Sequence, residues 1–205
     1  MPTISAPTLE AHRADTIDRL LQAWGELVME RGYEDVSLAD VAAKAGLART
    51  AIYNYFPDRE ALLFAWTDRE VRRVLDRIAD ELAEIESPAE KLQVFVRMEL
   101  ESFVTSHLPP EQGVVHFLGP GTYARFMDHL EPVEAVLLEI IQEGVDAGEF
   151  AKVDPAATVP LVMASIGSER GPLATGEHDL DEAAEHVIGF VLSALTPKGR
   201  RSKRH

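Results

Sequence analysis

An all-α protein is the fold class this chain predicts: apolar residues recur at helical spacing almost throughout, no stretch alternates with period two, and Gly and Pro fall where helices need to stop. At 205 residues and 46% hydrophobic composition the chain can bury one large or two small cores without staples. The absence of Cys excludes disulfides, thiol catalysis and Cys-based zinc sites. No apolar run approaches the ~18 residues of a membrane span, and Met1 to Glu10 has neither the basic start nor the apolar stretch of a signal peptide, so a cytoplasmic location is expected.

The first helix is expected from Asp15, as cap, with Ile17, Leu20, Leu21, Trp24, Leu27 and Val28 on one stripe, ending at Gly32. Residues 1–14 then form a flexible N-terminal arm. Ser37 with Asp40 makes a capping box opening a short helix of Leu38, Val41, Ala42 and Ala45, which Gly46 ends. Leu47 to Tyr55 predicts another short helix with Leu47, Ile52 and Phe56 inward, broken by Pro57. Asp58 caps a long helix running through Leu62, Trp66, Val71, Leu75, Ile78 and Leu82 to Ser87 and Pro88. Further helices carry Leu92 to Val104, Tyr123 to Leu130, Val133 to Val145 after Pro132, and Val159 to Ile166 after Asp154 and Pro155. Gly171 to Gly176 reads as a loop. The last helix, Asp181 to Leu195, is apolar on more than one face.

The formal net charge is −15, which disfavours non-specific polyanion binding. The acid is unevenly placed. From residue 41 to 57 the basic side chains are Lys44 and Arg49 and there is no acidic one, whereas residues 198–205 form a basic tail, expected to be disordered. Two short helices joined at a tight glycine turn, the second bearing Arg49, Thr50, Tyr53, Asn54 and Tyr55, describe a helix-turn-helix whose second helix enters a major groove. Arg49 and Thr50 stand at its N-terminal end, where side chains meet base edges or phosphates. Arg59, Ser37 and Lys44 complete the expected DNA-binding set.

From Ile17 to Trp66 the chain resembles the DNA-binding region of the tetracycline-repressor (TetR) family of transcriptional regulators. The resemblance rests on Gly32-Tyr33, Val36-Ser37-Leu38-Ala39-Asp40-Val41-Ala42, Ala45-Gly46-Leu47, Ile52-Tyr53-Asn54-Tyr55-Phe56 and Asp58-Arg59-Glu60-Ala61-Leu62. The family usually has Lys where this chain has Arg59, which keeps the charge but alters its geometry. Gly148-Glu149-Phe150 followed by Asp154-Pro155 resembles a frequent feature of the family's C-terminal domain.

The resemblance implies a homodimer with a DNA-binding domain at 15–60, a ligand-binding and dimerisation domain at 61–197, and the basic tail at 198–205. It further implies a ligand-responsive regulator, a repressor, that binds a near-palindromic operator in double-stranded DNA and is released by a small-molecule effector. No cofactor, metal or membrane partner is implied. The family's dimer helices correspond to Pro155 to Ser168 and Asp181 to Leu195, giving Val159, Met163, Ile166, Val187, Ile188, Phe190, Val191 and Leu195 as interface residues. The helices that enclose the family's pocket supply Glu99, Phe103, His107, Phe117, Tyr123, Phe126, Met127 and Met163 as candidate ligand contacts. Glu99 falls inside the apolar stripe of its own helix, and an inward carboxylate suits a cationic ligand; a stripe-edge Glu, solvated or salt-bridged, is the plain alternative.

Three other readings compete with this one. His107, His116 and His129 raise a metal-responsive regulator of the same fold, but their spacings make no i, i+4 pair and no Cys completes a shell. An enzyme is disfavoured by the absence of a His-Glu-x-x-His, a Walker loop, a Gly-x-Ser-x-Gly and a dinucleotide fingerprint. A helical interaction module without DNA binding would share the helices but would not need an acid-free polar face after Gly46.

Overall fold

The computed structural model describes residues 6–105, 121–122, 125–126 and 128–197, with residues 6–9 by backbone alone. Helices account for most of them, and no strand occurs among the described residues. They fall into two compact units, one within residues 1–70 and 111–129 and the other within 71–110 and 130–205. The boundary expected after residue 60 lies inside a helix whose residues up to Glu70 belong to the first unit.

The first unit is built from α1 (Ala6–Arg31), α2 (Leu38–Lys44), a 3₁₀ turn (Ala51–Asn54) and the start of α3 (Arg59–Leu82). Its core is the predicted stripe: Leu20, Leu21, Trp24, Leu27 and Val28 of α1 meet Val41 and Ala42 of α2, Ile52 of the turn, Phe56, and Leu62, Leu63 and Trp66 of α3, all buried. Gly25 permits the closest approach, because a Cβ there would lie 2.9 Å from Trp66 Nε1. Trp24 meets the Tyr33 ring edge-on, with centroids 5.6 Å apart.

Two expectations for this unit need correction. Helix α1 starts at Ala6, so residues 6–14 of the supposed arm are helical. Asp15 is not a cap but a mid-helix side chain, paired with Arg19 at 3.2 Å in an i, i+4 ion pair. The other correction concerns Leu47 to Tyr55, which is not an α-helix. It is a single 3₁₀ turn over Ala51–Asn54 flanked by turns, with Ala51 N–H donating to Ala48 O at 2.8 Å and Tyr55 N–H to Ile52 O at 2.9 Å. No side chain caps its start, Ile52 and the two tyrosines are weak helix formers, and Pro57 forbids extension, so the segment settles for the tighter turn.

The second unit contains the rest of α3, α4 (Pro88–Thr105), α5 (Glu131–Asp146), α6 (Pro155–Gly167), α7 (Arg170–Thr175) and α8 (Leu180–Leu195). Helix α4 packs against α5, α7 and α8, and its Leu92, Phe95, Val96 and Leu100 are the centre of the core. Phe150, in the loop after α5, is buried over Gly144, where a Cβ would come within 2.1 Å of its ring. Asp154 caps α6 by accepting from Ala156 N–H at 3.0 Å. Asp179 caps α8, which begins one residue before the expected Asp181. The supposed loop Gly171 to Gly176 is mostly α7. Pro172 sits in the first turn, where its missing N–H costs nothing, and Gly176 ends the helix in the left-handed region at φ 71°.

Candidate nucleic-acid interface

The capping box forms as the sequence predicts: Asp40 N–H donates to Ser37 Oγ at 3.2 Å, and Ser37 N–H to Asp40 Oδ2 at 3.1 Å. Hydrogen bonds to the Asp40 carboxyl from the Ser37 hydroxyl and from the Ser37 N–H hold it below its ordinary range, keeping the cap ionised. Gly46, at φ 73°, then turns the chain so that the 3₁₀ turn lies across α2. Buried Ile52 and Phe56 fix the turn's inner side.

Its outer side carries the expected reading residues. Arg49, Thr50, Tyr53 and Asn54 are all exposed, Tyr53 at 57%. The Thr50 side chain makes no capping bond. Arg49 makes no hydrogen bond or ion pair with any described residue. A large aromatic left this exposed contributes little to folding. Ser37 is exposed nearby, with its hydroxyl on Asp40.

The remaining members of the set are engaged within the chain. Lys44 Nζ lies 2.8 Å from Glu30 and 3.1 Å from Glu26, and these bonds raise its pKa. Arg59 donates to the carbonyl oxygens of Tyr33 and Glu34 and lies over the Tyr33 ring, 4.5 Å from its centroid. It therefore ties the start of α3 to the loop after α1. Tyr55 is half-buried, with the Arg13 guanidinium 5.1 Å from its ring centroid. Arg13 also donates to Asn54 O at 3.5 Å, and Arg19 to Ala45 O at 3.1 Å. Neither arginine stands out in the sequence. A helix beginning at Asp15 leaves Arg13 outside it, and Arg19 has the spacing of an ordinary surface charge.

Another polar layer of the first unit lies on α3. Glu60, Phe64 and Asp68, one turn apart, meet Arg125 and His129: Glu60 Oε1 accepts from Arg125 at 2.6 Å, Arg125 lies 4.4 Å over the Phe64 ring, and Asp68 lies 2.5 Å from His129 Nδ1. His129 also stacks on Phe64. It is thus occupied with a carboxylate and a ring, and among the described residues no group of three or more His, Asp or Glu could hold a metal ion. His107 and His116 lie outside the described residues.

Of the expected ligand contacts, His107, Phe117, Tyr123 and Met127 also lie outside the described residues. Phe126 is buried in the first unit. In the second unit Glu99 is buried, Met163 is partly buried against the core, and Phe103 is covered by Arg170, whose guanidinium lies 4.0 Å from the ring centroid. Burial pushes the Glu99 carboxyl up to about 7, while the charges of Arg170 and Arg77 pull the other way. Burial therefore outweighs the two arginines at this carboxylate.

The expected dimer set needs the largest correction. Val159, Ile166, Val187, Val191 and Leu195 are buried in the chain's own core and offer no free face, while Met163 and Ile188 pack against it with part of their surface left exposed. Phe190 does offer one, at 63% exposure, and α6 adds Leu161 at 69%. Spacing misleads here because both helices are apolar nearly all round, and an inward stripe then reads equally well as an outward one. Leu161 is legible only as the residue left over once Val159, Val162 and Ile166 are assigned inward.

Comparison with known proteins agrees with this architecture. Residues 20–66 match the model of bacterial regulatory proteins of the tetR family, and residues 115–188 match that of the tetracyclin repressor-like C-terminal domain. The HTH-type transcriptional regulator Rv1255c of Mycobacterium tuberculosis is 36% identical over 89 residues, 43% of this chain. The chain spans 44% of that relative's length, less than half. Among solved structures, FadR from Bacillus subtilis in complex with stearoyl-CoA superposes with a TM-score of 0.78 at 18% identity, over 87% of this chain and 98% of that one. A transcriptional regulator from Saccharomonospora viridis in complex with choline superposes with a TM-score of 0.76 at 22% identity, over 90% and 100%. At these identities the two structures establish likeness of fold alone.

Proposed function

Because the chain belongs to the TetR family of transcriptional regulators, we propose that it binds a near-palindromic operator as a homodimer, represses from there, and is released by a small-molecule effector. The observation that carries this reading is the outer side of the 3₁₀ turn, where Arg49, Thr50, Tyr53 and Asn54 stand exposed on a rigid base of Ile52 and Phe56. Lys44 and Arg59 act here as supports, not as phosphate contacts.

Homodimer formation is supported by Leu161 and Phe190, large apolar side chains left uncovered on α6 and α8, which pack against each other within the second unit. Two such subunits would set reading turns ~34–36 Å apart, the spacing of successive major grooves. Effector release is supported by the neighbours of like fold that hold stearoyl-CoA and choline. An effector that prefers one dimer spacing shifts the population between DNA-competent and incompetent forms, and each ~1.4 kcal/mol of preference changes the ratio tenfold.

The test uses a duplex enriched by the protein itself from a random library. Arg49→Ala and Tyr53→Ala should each weaken binding by roughly tenfold or more, about 1–3 kcal/mol, with circular dichroism and oligomeric state unchanged. Wild-type affinity in both variants would remove this turn as the reader.

A further inference from the structure

The local excess of positive charge that suits the reading turn to DNA is thinner than the sequence suggests. Lys44, one of its two cations, is held by Glu26 and Glu30, and Arg59 is spent on Tyr33 and Glu34, which leaves Arg49. Another cation arrives from α1. Arg13 lies on the exposed N-terminal part of that helix, 41 residues before Asn54, yet its guanidinium sits 3.5 Å from Asn54 O and 5.1 Å from the Tyr55 ring. It has no carboxylate partner among the described residues.

We propose that Arg13 is a DNA-contacting residue: the Asn54 carbonyl and Tyr55 ring aim its guanidinium, and its remaining N–H donors take a backbone phosphate beside the reading turn. This inference rests on the proposed DNA-binding reading and adds a residue to it. Asn54 is the last residue of the 3₁₀ turn, where carbonyls lack partners in the ladder and favour a cation. A planar guanidinium offers five donors, so one bond to Asn54 O leaves enough for a bidentate phosphate contact. Stacking on Tyr55 limits the rotamers it must give up on binding. The extension of α1 to Ala6 is what makes this possible, since a disordered arm would not hold Arg13 at one place.

The experiment measures affinity for the protein-enriched duplex across a salt series, for wild type, Arg13→Ala, Arg13→Lys and the control Arg49→Ala. Arg13 is exposed, and a thermal melt on each variant checks that the fold is kept. Arg13→Ala should lose roughly five- to tenfold in affinity and lower the slope of log K against log salt by about 1, uniformly across sequence variants of the duplex. Arg13→Lys should keep the slope and regain part of the affinity, since the charge remains without the fork. An unchanged slope for Arg13→Ala, with Arg49→Ala impaired, would overturn the Arg13 contact and leave the reading turn standing. Wild-type binding by Arg49→Ala as well would bring down the DNA-binding reading on which it rests.

Discussion

Two parts of this molecule leave side chains exposed that contribute little to folding, and they differ in chemistry. On the 3₁₀ turn and just before it the outward residues are Arg49, Thr50, Tyr53 and Asn54: polar, hydrogen-bonding and with no acid among them. On α6 and α8 they are Leu161 and Phe190, apolar and exposed. The polar set suits a hydrated, negatively charged surface with a pattern to read, and the apolar set suits another apolar surface like itself. Each rests on a base as well packed as any interior. The difference teaches that one partner cannot suit both faces, so on the proposed reading damage to one should spare the other.

The largest effect expected is on assembly. Phe190→Asp should raise the dimer dissociation constant by roughly 100-fold while the isolated chain stays folded, as sedimentation velocity at micromolar concentration would show. A wild-type mass for this variant breaks the comparison on the apolar side. Substitution inside the second unit should do the reverse. Gly144→Ala drives a methyl into the Phe150 ring and should cost roughly 2–3 kcal/mol of stability in urea unfolding, with little change in the mass of the folded fraction.

Glu99 sharpens the contrast between interior and surface through pH. In the folded chain its carboxyl keeps a proton up to about pH 7, against about 4.5 when unfolded. Between those values the folded state binds more protons, so the group's contribution to stability falls as pH rises and is constant above the window. Glu99→Gln does not titrate, and it should gain on wild type across that window by on the order of 3 kcal/mol. Parallel stability curves from pH 4 to pH 8 would remove the buried acid from the account. The smallest effect belongs to the base of the reading turn: Ser37→Ala should cost about 1 kcal/mol by loss of the capping box.

The elements with strong local chemistry are legible in the sequence. Ser37 with Asp40, Asp58 and Asp154 cap helices as their types and positions predict, because a side-chain oxygen meeting a free N–H is a local event. The stripe from Leu20 to Val28 and the exposure of Arg49, Thr50 and Tyr53 follow from spacing. What is not legible depends on tertiary contacts. Asp15 has the residue type of a cap until Arg19 is placed one turn on. The turn Ala51–Asn54 reads as a helix until its poor helix formers are weighed against a start without a cap. Helices α6 and α8 carry apolar residues on several sides, and only packing decides which side faces the chain's own core. Arg13 and Asn54 are neighbours across 41 residues, a relation no local pattern carries.

Guanine N7 methylation protection on the enriched duplex tests the central claim most directly, because it reports occupancy of the major groove. The account predicts two protected patches, about 10 base pairs apart, that vanish with Arg49→Ala. Uniform reactivity along the duplex under saturating protein, or patches that survive Arg49→Ala and Tyr53→Ala alike, would contradict it.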